Sequence, residues 1–149
     1  MIFAKPNRVP LFVLDKLRHL FELLKERKKE FEELANVIKN QQLKITVLCL
    51  AQECNQYAHE IFSQLETMTG RVEDYSGTRA EYEGPLFAAD DDILQSCRVS
   101  EKNLIVAYRM VLNEPALNEH LRKLLRSQLN GLTCTFTQIK LLKISLVRR

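Results

Sequence analysis

Apolar residues return at steps of three and four over four long stretches of this chain, the period of a helix that buries one face. The first seam runs Leu14, Leu17, Phe21, Leu24, Lys28, Phe31, Ala35 and Ile38, and the second Leu43, Val47, Leu50, Cys54, Tyr57, Ile61, Leu65 and Met68. The third is Leu94, Cys97, Glu101, Leu104, Tyr108 and Val111, and the fourth Leu121, Leu125, Gln128, Leu132, Thr135, Ile139, Leu142 and Leu146. This pattern predicts four helices, over about residues 11–39, 42–69, 90–113 and 115–146, packed as an all-α bundle. Lys28 and Glu101 are the two charged residues that fall squarely inside a seam.

The breaks between seams have recognisable chemistry. Residues 1–10 carry two prolines and no period, so they read as an extended lead-in to one domain spanning 11–149. Polarity rises at Asn40-Gln41-Gln42 while the stripe changes phase, which places a tight turn at about 39–42. Gly70 suits a C-terminal cap. The stretch 70–89 holds three glycines and a proline without a sustained period. A link beyond ~12–15 residues is unusual in a compact domain; here it is long enough to span an up-down bundle and let helices two and three run parallel. Asp90, Asp91 and Asp92 favour the start of the third helix, and Pro115 suits the opening turn of the fourth.

Composition narrows the class further. The chain has 149 residues, 46% hydrophobic and 28% charged, with four glycines, four prolines and no tryptophan. A formal charge of +3 is too small to point to nucleic acid. Lys25, Lys28, Lys29, Lys140 and Lys143 lie on helical stretches, the first group interleaved with glutamates, as on a solvated face. The four cysteines, at 49, 54, 97 and 134, form no C-x-x-C pair and no zinc spacing, so a reducing, cytoplasmic location is expected. No uncharged run reaches the ~18 residues of a membrane span, and the first residues lack the pattern of a signal peptide.

Set side by side, the midpoints of the four helices fall near Lys28, Cys54, Glu101 and Gln128, so the polar breaks gather in one central layer. A Lys28–Glu101 salt bridge completed by Gln128 or Tyr108 is one outcome; the other is that Lys28 carries its ammonium to the bundle edge. Tyr57 and Tyr108 fit core packing with one hydroxyl hydrogen bond each. Cys54 has no histidine on a neighbouring seam to activate it.

Leu14-Asp-Lys-Leu, Leu50-Ala-Gln-Glu, Ile93-Leu-Gln-Ser-Cys, Ser100-Glu101 and Ala107-Tyr108, with the helix order and the long link, resemble a bacterial family of ferritin-like four-helix bundles without an assigned activity. The resemblance covers about residues 11–145 and implies a ferritin-like fold, a bacterial cytoplasmic protein and distant kinship with rubrerythrin-type di-iron proteins. Di-iron bundles take a Glu from each of two helices and Glu-x-x-His from each of the other two. This chain departs from that set. Lys28 stands where a carboxylate is expected, Gln56-x-x-His59 points away from its seam, and the fourth helix has no Glu-x-x-His, with His120 far from the centre. His19 likewise has no recognisable partner pattern.

The expectation is a ferritin-like bundle that has lost its di-metal site, has no catalytic residues and no cofactor, and acts as a binding or structural protein without nucleic acid or membrane partners. Self-association or a protein partner is expected, with Phe12, Phe62, Phe87 and Phe136 as apolar residues the seams do not all absorb. The alternative is a di-iron or di-manganese oxidoreductase or metal-storage protein using Glu30, Glu53 and Glu101.

Overall fold

A computed structural model describes residues 10–69 and 90–147. The lead-in 1–9, the link 70–89 with Gly70 and Phe87, and the side chain of Leu146 lie outside the described residues. The described residues form four helices: α1 (Leu11–Val37), α2 (Gln41–Thr69), α3 (Asp90–Leu112) and α4 (Glu119–Val147). None of them is long and apolar enough to cross a membrane.

α1 packs on α2 and α3, and α4 packs on the same two, so the helices stand at the corners of a square with α1 diagonal to α4. Lys16 bonds Glu114 and Glu30 bonds Ser100, hence α1 and α3 are antiparallel. Glu53 with Thr135 and Glu60 with Gln128 make α2 and α4 antiparallel as well. Tyr108 with Gln128 and Glu101 with Lys140 make α3 and α4 antiparallel, so α2 and α3, both opposed to α4, run in the same direction on opposite corners. The diagonal is bridged at the centre by the rings of Phe31 and Phe136, edge to face at 6.1 Å.

Local chemistry explains the helix ends. Pro10 precedes α1, where its missing N–H costs nothing, and its carbonyl accepts from Val13 N at 3.0 Å. After Ile38 turns to extended backbone, Asn40 opens α2 by accepting Leu43 N on its side-chain oxygen at 2.9 Å. The fourth helix begins later than Pro115 predicts. Pro115 lies in a turn, and the cap is Asn118, whose Oδ1 accepts Leu121 N at 2.9 Å. Arg122 then folds back onto the end of α3, donating to the carbonyls of Leu112, Glu114 and Leu117, carbonyls that lack helical partners there.

The α3 seam is buried throughout, and that of α4 from Leu121 to Ile139. The α1 seam is rotated from the expected one. Val13, Leu17, Leu20, Leu24, Phe31, Leu34 and Ile38 are buried, a heptad series whose central member is Arg27 rather than Lys28. α1 touches two neighbours, so its buried arc also takes in Phe21 against Phe62 on the α2 side and Glu30 on the α3 side. Each fully buried leucine contributes about 1.5–3 kcal/mol, which outweighs the helix propensity of any residue in these segments.

Candidate functional site

The central layer is polar, but its partners differ from the expected ones. Lys28 is 38% exposed and lies 3.8 Å from Glu32 on its own helix. Glu101 is buried on α3 and is met by Lys140 of α4, with Nζ 3.1 Å from Oε1. The Lys28–Glu101 bridge therefore does not form. Lys28 sits on the α2 side of α1, whereas α3 lies on the other flank, and α4 is the neighbour that Glu101 faces.

Glu30, a ligand in the alternative di-metal reading, is only 2% exposed. It projects from α1 into the contact with α3, where Ser100 Oγ donates to Oε1 at 2.5 Å and the Arg27 guanidinium, one turn earlier, donates to Oε2. Burial raises the Glu30 pKa above the usual carboxylate range, and Ser100 and Arg27 pull it back only in part. Arg27, with its side chain 18% exposed, is the more enclosed cation, one residue from the lysine that the sequence pattern singles out.

Across the bundle, on the α2–α4 contact, Thr135 Oγ1 donates to Glu53 Oε1 at 2.6 Å and Tyr57 Oη to Oε2 at 3.4 Å. Burial raises the pKa of Glu53 too, against the lowering effect of those two hydroxyls. Gly131 leaves room for this contact: a Cβ at that position would push the Tyr57 hydroxyl aside. A third group joins three helices. Tyr108 Oη donates to Gln128 Oε1 at 2.9 Å, while Gln128 Nε2 donates to Glu60 Oε1 at 2.9 Å. Gln128 and Tyr108 thus satisfy each other instead of serving Glu101.

Cys54 and Cys97 are buried beside these carboxylates. Desolvation pushes the Cys97 thiol up to about 12, with the Glu30 charge adding to it, and Cys54 rises further for the same reason. Both are protonated, unreactive packing groups at neutral pH. Cys49 and Cys134 are exposed, and all four are free. His19, His59 and His120 are exposed, and His59 Nδ1 lies 3.0 Å from the carbonyl of Asn55 on its own helix.

Glu30, Glu53 and Glu101 come from three helices, yet each has its oxygens engaged by a different donor set: Arg27 with Ser100, Thr135 with Tyr57, and Lys140. Among the described residues no three His, Cys, Asp or Glu side chains converge in a way that could hold a metal ion. A cation at Glu30 or Glu101 meets a guanidinium or an ammonium, which repel it and offer no lone pair. The donors are therefore fitted to satisfying buried carboxylates within the fold. Thr135 stands in the fourth seam of the sequence, whereas Arg27, Ser100 and Lys140 are the members that sequence reasoning missed. Of these Arg27 left a signal, since Val13, Leu17, Leu20, Leu24, Arg27, Phe31, Leu34 and Ile38 is as good a three-four series as the one through Lys28. No family model matches this chain, and no curated protein matches it.

Proposed function

We propose that this chain is a ferritin-like four-helix bundle in which protein cations and hydroxyls have taken over the central carboxylates, and that it works as a non-catalytic binding or structural protein. The observation that carries this reading is Glu30. It is the most buried carboxylate among the described residues, at the level where a di-metal bundle presents its ligands, and its two oxygens are taken by Arg27 and Ser100. The pair leaves Arg27 Nε buried without a partner, yet both carboxylate oxygens are engaged, and the guanidinium supplies the positive charge that a metal supplies in the metal-binding relatives of such a fold. Among the described residues the buried thiols are inert and the histidines face outward, so neither supplies an activated nucleophile at the centre. Four free cysteines suit a reducing cytoplasm.

Metal analysis of protein purified without chelator tests the proposal. Less than a tenth of an equivalent of iron, manganese or zinc is expected. Stoichiometric metal that is lost on replacing Glu30, Glu53 or Glu101 by Gln overturns it in favour of a di-metal oxidoreductase or storage protein.

A further inference from the structure

The outer face shared by α3 and α4 carries cations that the fold does not answer. Arg98, Lys102 and Arg109 of α3 and Lys123 and Arg126 of α4 are exposed, and none of the five has a carboxylate partner among the described residues. Glu101, Tyr108 and Lys140 are contacts between the two helices. Arg98 stands one turn before Glu101, Lys102 and Arg109 come one residue after Glu101 and Tyr108, and Arg126 lies two heptads before Lys140, with Lys123 one turn earlier. Helical phase therefore puts all five on the outer side of this contact. The Tyr108–Gln128 bond sets Arg126 near the level of Arg109, so the patch runs about 20–25 Å along the bundle at 1.5 Å rise per residue.

Other cations of the bundle are matched. On α1, Arg18 meets Asp15, Arg27 meets Glu30 and Lys28 meets Glu32. On the α3–α4 flank the carboxylates among the described residues are Glu101 and Glu119, and Lys140 and Arg122 already occupy them. Five like charges gathered on one face hold a positive potential over it, and only an anionic partner relieves their mutual repulsion. Between the two rows lie Ile105 and Leu129, half-buried, as an apolar floor.

We propose that the α3–α4 face docks an acidic helical segment of another protein, its carboxylates on these cations and its apolar side on Ile105 and Leu129. This names the partner for the binding role above and rests on that reading. A helix laid along α3 has the same rise as α3, so carboxylates at i, i+4 and i+11 come level with Arg98, Lys102 and Arg109 in turn. A nucleic acid fits less well. The pI of about 8.7 is low for a domain that binds one, and the aromatic rings of α3 and α4, Tyr108 and Phe136, are buried and offer bases nothing to stack on.

Fluorescence anisotropy with a labelled alanine-rich peptide of about 20 residues bearing Glu at i, i+4 and i+11 tests this, with the helix content of each variant followed by circular dichroism. The wild-type chain is expected to bind the peptide and to lose about tenfold or more in affinity between low and high salt. Lys102→Glu/Arg109→Glu should weaken binding by about tenfold or more with unchanged helix content. Lys25→Glu/Lys29→Glu, the same change of net charge placed on α1, should bind as wild type does. Absence of binding by the wild type overturns the proposal. So does an equal loss in the α1 variant, equal binding of a peptide with the same glutamates spread round its helix, or tighter binding of a DNA duplex of about 15 base pairs. Metal content is read separately: metal-loaded protein that binds the peptide sinks the non-catalytic reading alone, and metal-free protein that does not bind it sinks this one alone.

Discussion

Glu101 on α3 is held by Lys140 from α4, Nζ to Oε1 3.1 Å, while Lys28 stands on the flank of α1 facing α2 and pairs with Glu32. The two lysines are therefore not equivalent. Lys28→Met is expected to change stability by less than about 0.5 kcal/mol, as for exposed helix pairs. Lys140→Met leaves a buried carboxylate without its cation and should cost about 0.5–1 kcal/mol, a figure held down because Lys140 is itself half exposed. Urea denaturation of both variants at neutral pH decides between them; equal effects would remove the asymmetry.

Arg27 matters more, because both members of its pair are largely enclosed. Arg27→Met is expected to destabilise the fold by about 3 kcal/mol at neutral pH, and Arg27→Met/Glu30→Gln by clearly less than the single change. The sign of the pH dependence follows from burial. The Glu30 pKa is raised in the folded state, so ionising it weakens the fold as pH rises through the folded value. Without Arg27 the pKa rises further, hence the deficit of Arg27→Met should shrink on acidification toward pH ~4, where Glu30 is neutral and needs no counter-ion. A deficit that is flat from pH ~4 to ~7 would contradict the buried pair.

The thiols divide by burial. In native protein, Cys49 and Cys134 should react with a thiol reagent within minutes, and Cys54 and Cys97 only after unfolding or at the rate of global opening. Mass spectrometry of partly modified protein checks which pair is labelled. Fast labelling of Cys54 would mean that the centre of the bundle is open to solvent.

Gly131 lies within α4, where Ala is ordinarily better by about 1 kcal/mol. Here the added Cβ displaces the Tyr57 hydroxyl from Glu53, so Gly131→Ala is expected to destabilise by about 1 kcal/mol in the wild-type background. In Tyr57→Phe the obstructing atom is gone, and the same substitution should be neutral or stabilising. Thermal melts of the four members of this cycle give the coupling directly.

The number of helices, the turn at Asn40 and the seams of α3 and α4 are legible in the sequence because each rests on local chemistry: a period set by the helix, a side chain that caps its own segment. The phase of α1 is not. Its buried arc is wide enough to fit either Arg27 or Lys28 into a three-four series, and which one turns inward depends on where α2 and α3 stand, not on α1. The partners of the inward carboxylates lie beyond local reach as well. Ser100 is 70 residues from Glu30, and Thr135 is 82 from Glu53. By itself the sequence determined that four amphipathic helices must bury their seams together and that charged or polar groups would be caught at the centre. Only the tertiary structure decided which cation or hydroxyl meets each carboxylate, because such a pairing depends on the rotation and level of two helices at once, and neither is encoded within either helix alone.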